Sequence, residues 1–271
     1  MKLFKKLLVI FLIVVAGLAI KNGSLRQEEI RISEEKPIKF AIMSDIHSDW
    51  KNFKEALEKA KEGFGGNGGF VIVTGDLTTL GLKSELIEAK KILDESGLKY
   101  FVVPGNHDVW WGRKYKKDVW KEIFGKSFQS FLDDGVKFIL INNGDGEGGL
   151  EGFGGVGQKK WLEEEAEECL RIYCLVFMHM PLNHPNSLHI MGEDNTKIAS
   201  EAGQIKELFV KDQIREIFAG HLHFSSSYEL EGLKTTVVGA VTSDRNTQSP
   251  KFMTVEVKDG ELVQNDVFLS D

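Results

Sequence analysis

Proline and cysteine are scarce in this chain, at five and two residues out of 271. So few prolines exclude a Pro-rich linker protein, and two cysteines cannot staple a disulfide-dependent scaffold. An excess of positive charge is missing too: 34 lysines and arginines face 41 aspartates and glutamates, for a net charge of −7 and a pI near 5.6. That balance argues against a protein that tracks nucleic-acid phosphates. Nor does any uncharged apolar run reach the roughly 20 residues a spanning helix usually needs. With 28% charged residues, a polytopic membrane protein is excluded. What is present is 42% hydrophobic residues, enough core for one large domain or two small ones and too much for a disordered chain.

Residues 1–20 read as separate from the fold. Lys2, Lys5 and Lys6 precede an uncharged apolar run, Leu7 to Ile20, of signal-peptide length. With Leu3, Phe4 and snorkelling lysines it could also serve as an uncleaved membrane anchor, and the two alternatives stay open. Lysines stay on the cytoplasmic side, so the expectation is export, with the domain outside the cytoplasm. Losing those three lysines takes the net charge from −7 to −10. Residues 21–37 read as a polar tether, with an edge strand at Glu29–Ser33, and residues 38–271 as one domain. Cys169 and Cys174 would then meet an oxidising compartment, but their apolar surroundings read as those of two buried free thiols.

Within residues 38–271 strands alternate with helices. Ile38–Met43, Phe70–Val73, Tyr100–Val103, Val136–Ile141, Ile172–Met178 and Ile214–Ala219 read as strands. Trp50–Lys61, Ser84–Leu93, Gln158–Leu170 and Glu201–Val210 read as helices. The last fifty residues read as antiparallel strands joined at Glu231-Gly232 and Asp259-Gly260. The pattern predicts an α/β domain with two sheets or one mixed sheet. Glycine-rich stretches at 63–69 and 144–157 match G-x-G-x-x-G, but the first precedes its strand and the second carries Asp145, Glu147 and Glu151, which repel phosphate. Both read as mobile surface loops.

The chemistry sits where strands end. Asp45 and His47 follow the first strand, Asp76 the second, Asn106, His107 and Asp108 the third, His179 a later one, and His221 and His223 another. In open α/β sheets the loops at carboxyl ends of strands converge on the ligand site. Residues two apart near a strand end point the same way, which pairs Asp45 with His47 and His221 with His223. Nitrogen and oxygen donors without a thiolate suit Mn, Fe, Zn or Ni. Asp45, His47, Asp76, Asn106, His179, His221 and His223 make seven, more than one tetrahedral zinc uses, and fit two ions sharing a carboxylate.

With its blocks Asp45-Ile46-His47, Gly75-Asp76-Leu77, Gly105-Asn106-His107-Asp108, His179-Met180-Pro181 and Gly220-His221-Leu222-His223 in that order, the chain resembles the calcineurin-like metallophosphoesterases from Ile38 to about Ala240. The resemblance implies a four-layer α/β/β/α sandwich and two divalent metal ions. It places Asp45, His47 and His223 on one ion, Asn106, His179 and His221 on the other, and Asp76 between them. It also implies in-line attack on phosphorus by a metal-bridging hydroxide, with His107 either stabilising the transition state or protonating the leaving oxygen. Asp108 could orient the ring of His107 or merely cap the following helix.

The expected partner is a small phosphorylated substrate, with no nucleic acid. Phosphodiester or nucleotide-type esters are favoured, because Trp110 and Trp111 could flank the pocket and stack on a base or sugar. A phosphomonoesterase, a nuclease and a metal-free interaction scaffold are the alternatives. A nuclease wants a basic groove, and a scaffold predicts damaged ligand positions. Thr78 and Thr79 stand where many relatives carry an acidic residue, and Phe224-Ser225 where some membrane-anchored, lipid-processing relatives have Gly-Gly, which argues against that subgroup. The long loop from Pro181 to Ala199 reads as a rim of the site, with His184 and His189 as surface residues.

Overall fold

A computed structural model describes residues 37–66 and 68–270. The export or anchor segment, the tether up to Lys36 and the strand expected at Glu29–Ser33 lie outside these residues. Among those described, no helix is long and apolar enough to cross a membrane.

Short, fully buried apolar runs build the strands. β1 (Ile38–Met43), β2 (Phe70–Val73) and β3 (Lys99–Val102) run parallel, and the long antiparallel pair β10 (Lys251–Lys258) and β11 (Glu261–Phe268) completes a sheet of order β11-β10-β1-β2-β3. The second sheet has six strands in the order β4-β5-β6-β7-β9-β8: β4 (Gln129–Asp133), β5 (Val136–Leu140), β6 (Tyr173–Phe177), β7 (Glu216–Ala219), β8 (Ser226–Leu230) and β9 (Leu233–Val237). Its central strands β5, β6, β7 and β9 are parallel.

Both faces of each sheet are covered, as parallel strands require. Helices α1 (Trp50–Phe64) and α2 (Lys83–Ser96) set Phe53, Ala56, Leu57, Leu86 and Leu93 against the outer face of the first sheet. Helices α5 (Gln158–Glu167) and α6 (Thr196–Lys211) do the same for the second with Leu162, Ala202, Ile205 and Phe209. Between the sheets lies a layer rich in phenylalanine. Phe40 meets Phe138 edge-on at 5.3 Å, and Phe177 stacks on Phe218 at 5.2 Å. Rings in these geometries add to their burial energy. The result is the expected α/β/β/α sandwich, and a parallel bridge between Ser44 and Ala240 ties the two sheets together just beyond β1 and β9.

Several local features differ from the sequence reading. Helix α4 (Val119–Ile123) and strand β4 were not expected, and the helix that follows the third strand, α3 (Asn106–Tyr115), already begins inside the strand-end motif, before Asp108. Helix α5 ends at Glu167 in a 3₁₀ turn, which brings the Cα atoms of Cys169 and Cys174 to 5.5 Å. The two cysteines form a disulfide, not a pair of free thiols. The stretch 144–157 is packed, not a free loop. A Cβ on Gly144 would stand 2.7 Å from the backbone of Gly105, and buried Asp145 accepts the backbone N–H groups of Glu147, Gly148 and Phe153.

Candidate metal centre

The carboxyl ends of β1, β2, β3, β6 and β7 carry the expected residues to one place. Their loops are tied by backbone groups before any side chain acts. Ile46 and His47 both donate N–H to the Asp76 carbonyl, at 2.8 and 2.9 Å. The His221 N–H reaches the Asp45 carboxylate at 3.0 Å, and the His107 N–H, in the first turn of α3, reaches Asp76 Oδ1 at 2.9 Å. A helix N-terminus is a natural seat for that carboxylate. Asp45, His47, Asp76, His221 and His223 all adopt positive φ, between 45° and 71°. Each costs on the order of 1 kcal/mol for a residue with a Cβ, so the fold spends stability to aim these five side chains.

Two donor sets result, each with its atoms within 4.8 Å of one another: Asp45, His47, Asp76 and His223, and Asp76, His179 and His221. Asp76 belongs to both. In the first, His47 Nε2 lies 3.6 Å from Asp76 Oδ2 and 2.9 Å from His223 Nε2, and His223 Nε2 lies 3.6 Å from Asp45 Oδ1. In the second, His179 Nε2 lies 3.3 Å from Asp76 Oδ2, 3.1 Å from His221 Nδ1 and 3.0 Å from Asn106 Oδ1. Asn106 thereby joins the second set.

The donor chemistry fits divalent ions. The other ring nitrogen of His179, Nδ1, faces the Thr74 carbonyl at 2.8 Å. A carbonyl only accepts, so Nδ1 carries a proton and Nε2 is the nitrogen left to face the cluster, the arrangement usual for a metal-ligating histidine. Burial lowers the pKa of His47 to about 4 and that of His221 well below its ordinary value, which keeps both lone pairs free at neutral pH. Burial opposes the charge on Asp76, but His179 and His47 outweigh it and hold Asp76 ionised. Burial also works against the charged form of His179, yet the Asp76 and Asp45 carboxylates raise its pKa to about 9. Asp45, wholly buried, is pushed up. A carboxylate-rich cluster that recruits a proton at His179 is one that a cation would relieve.

His107 turns away from Asn106, as adjacent residues do. Its Nδ1 meets the Thr79 carbonyl at 2.6 Å and its ring packs edge-on to His47 at 4.6 Å. Thr79, not Asp108, therefore orients this ring. The Asp108 carboxylate instead accepts N–H groups from Leu77, Thr78 and Gly105 and the Thr78 hydroxyl at 2.7 Å, clamping the β2 and β3 loops together. Burial and the Asp76 charge raise its pKa to about 6. Thr78 and Thr79 thus serve the loops, Thr79 Oγ1 donating to the His47 carbonyl at 2.7 Å. Sequence reasoning missed Asn143 at the end of β5, whose Oδ1 accepts the N–H groups of His179 and Met180 and whose Nδ2 donates to the Met180 carbonyl. The alignment of strand ends was its one available signal.

A groove of about 470 Å³ opens beside the cluster, with Asn106 and His221 in its wall. Trp110 lines it, whereas Trp111 packs on Tyr115 at 4.4 Å and does not. The rim loop supplies His189, an exposed residue as expected, whose ring nevertheless lies nearly parallel to that of His221 at 4.0 Å. His184 bonds Ser226 at 3.0 Å and packs on Tyr228, away from the donors.

Converging nitrogen and oxygen donors at the strand ends of an α/β/β/α sandwich define a metal-dependent hydrolase. Residues 38–225 match the family model of the calcineurin-like phosphoesterases, and the chain belongs to that family. No curated relative matches it. Among solved structures it is similar to a dimetal phosphatase from Danio rerio, at 15% identity and TM-score 0.63, with 85% of this chain and 96% of that one covered. It is also similar to GAP50, the anchor in the inner membrane complex of Plasmodium, at 13% identity and TM-score 0.62, covering 86% and 84%. A third is the purple acid phosphatase PPD1 of yellow lupin (Lupinus luteus), at 14% identity and TM-score 0.61, covering 86% of this chain and 52% of that one. At such identities the likeness speaks for the fold.

Proposed function

We propose that the chain hydrolyses small phosphate esters outside the cytoplasm, using two divalent ions. Asp45, His47 and His223 would hold one ion, Asn106, His179 and His221 the other, with Asp76 shared. The observation that carries this reading is the pair of donor sets meeting at Asp76. Divalent ions at such a site draw negative charge off phosphoryl oxygens and make a nearby water more acidic.

The chain's own residues do the rest. Thr79 holds the proton on His107 Nδ1, so the ring can give a proton to a leaving oxygen only from Nε2 and only as the imidazolium. Asp108 and Asn143 keep the ligand-bearing loops in register. The groove walled by Asn106, Trp110 and His221 houses the ester's organic group, which favours substrates with a substantial organic portion, diesters among them. All seven donor positions carry donors, so no damaged ligand supports a metal-free scaffold. The Cys169–Cys174 disulfide supports export, as do the three lysines before the apolar run Leu7–Ile20.

A panel assay with manganese tests the activity: bis-p-nitrophenyl phosphate, p-nitrophenyl phosphate, cyclic nucleotides and nucleotide sugars. Hydrolysis of at least one, abolished by chelation, is expected, and inertness toward all of them under every metal tested contradicts the reading. For location, a fusion at Asp271 to a reporter active only after export should be active. Activity from a reporter that works only in the cytoplasm would reverse that assignment.

A further inference from the structure

Helix α3 leaves the donor cluster with an outer face open to solvent. Its inner face is set by Val109 and Gly112, both buried. The Lys117 N–H returns to the Gly112 carbonyl at 2.9 Å, so the chain folds back and keeps Lys116 and Lys117 beside the last turn. On the outer face Trp110 sits one turn from Lys114, and Trp111 one turn from Tyr115. Trp110 is 40% exposed and Tyr115 49%, and the Lys114 ammonium lies 5.0 and 5.6 Å from the centroids of those two rings. Large rings side by side on an open helix face mark an interaction surface.

The free charge around them has one sign. Residues 110–126 hold six cations against two acids, a local charge of +4 in a chain of −7. Both acids are occupied: Asp118 caps α4 through the Lys121 N–H at 3.0 Å, and Glu122 pairs with Lys83 at 2.6 Å. Arg113 is engaged by Asp145 and Glu147. Lys116, Lys117, Lys121 and Lys126 are exposed and, among the described residues, form no ion pair. Cations at a helix C-terminus complement its dipole, but Arg113 and Lys114 already do so within the last turn of α3. The fold gives the other four lysines no partner.

Lysines beside tryptophan and tyrosine suit an anionic bilayer. The rings sit at headgroup level, and long lysine stems let the ammonium groups reach the phosphates. A nucleic acid needs a basic path along its backbone, and this patch ends at Glu147, Glu193 and Asp194 of the groove. The apolar run Leu7–Ile20, as export signal or as anchor, would deliver the domain to a membrane in either case. We propose that the outer face of α3 docks on an anionic lipid bilayer, with Trp110 and Tyr115 among the headgroups and Lys116, Lys117, Lys121 and Lys126 on lipid phosphates. Because α3 starts at Asn106 in the donor cluster, docking sets the groove at the bilayer surface.

The test follows tryptophan fluorescence of the full chain on vesicles carrying brominated lipid, which quenches rings that reach the bilayer. Pure phosphatidylcholine vesicles are compared with vesicles that also contain phosphatidylglycerol; residues 1–20 are present in every sample, so their own attachment is common to all. Quenching should be greater on the anionic vesicles, and high salt should remove the excess. The triple variant Lys116→Gln, Lys117→Gln, Lys121→Gln should remove it too, since three lysines near an anionic surface are worth on the order of a hundredfold in affinity. Trp110→Phe should lower the quenchable emission and leave that of buried Trp120. Equal quenching on the two kinds of vesicle overturns the proposal, as does an excess that the lysine variant keeps or quenching that Trp110→Phe leaves unchanged. Absence of quenching together with retardation of an oligonucleotide, lost in the lysine variant, would reassign the patch to nucleic acid and overturn it as well.

Discussion

Gly105→Ala is the smallest change that should unseat the donor cluster. Gly105 has φ −93°, a conformation alanine adopts freely, so the substitution carries no backbone penalty and restricts the unfolded chain by a few tenths of a kcal/mol in its favour. Its cost is steric. The new Cβ would stand 2.1 Å from Asp76 Oδ1 and 2.4 Å from Asp76 N, far inside the roughly 3.5 Å at which carbon contacts become favourable. Asp76 cannot swing aside cheaply. Its Oδ1 accepts the His107 N–H at 2.9 Å, and its backbone carbonyl holds Ile46 and His47. One loop must therefore shift by about an ångström, at about 1–3 kcal/mol for overpacking. Misplacing a shared carboxylate should weaken metal binding by at least the 10–100-fold typical of a disturbed supporting residue. Gly63→Ala is the control: no atom lies within 4 Å of its Cβ and it sits in α1, so it should stabilise by up to about 1 kcal/mol. Urea unfolding and metal titration read both effects. Gly105→Ala with unchanged stability and two ions bound at unaltered affinity would refute the reasoning.

His107→Ala should lower turnover by roughly 10²–10⁴ while metal content stays unchanged. The loss should be smaller for p-nitrophenyl esters, whose leaving group needs little protonation; His179→Ala should instead lose metal and activity together, as elemental analysis beside kinetics will show. The raised pKa of His179, about 9 against an ordinary 6.5, fixes a sign. In the metal-free protein its proton adds stability that is full below pH 6.5 and is lost as pH rises through about 9. Ligation removes that proton, so metal uptake at pH 7 should release it, and apparent affinity should climb with pH until about 9. Calorimetry in buffers of different ionisation enthalpy measures the release, and uptake without protons counts against His179 as a ligand.

Much of the frame was legible in the sequence because buried parallel strands are short uninterrupted apolar runs. Ile38–Met43 and Phe70–Val73 have in the structure the bounds read from sequence. The donors were legible because strand ends converge by topology. What escaped notice depends on contacts distant in sequence. Helix α3 opens inside the strand-end motif itself, and Gly112 and the paired tryptophans mask its period. Strand β4 is a short edge strand with little alternation. Asn143 acts on His179 across 36 residues, and Asp145 on Arg113 across 32. The glycines at 144–157 looked like looseness, yet they allow backbone to touch backbone at Gly105. The pairing of Cys169 with Cys174 follows from the 3₁₀ turn at Glu168–Leu170, which no residue spacing announces.

The central claim, two ions sharing Asp76, is tested most directly by counting metal. Elemental analysis of the full chain after reconstitution with manganese and removal of free ion should find two ions per chain. Asp76→Asn, which takes one negative charge from between the donor sets, should bind fewer than two and lose hydrolysis. One ion or none per chain, with hydrolysis intact and insensitive to chelation, would contradict the account.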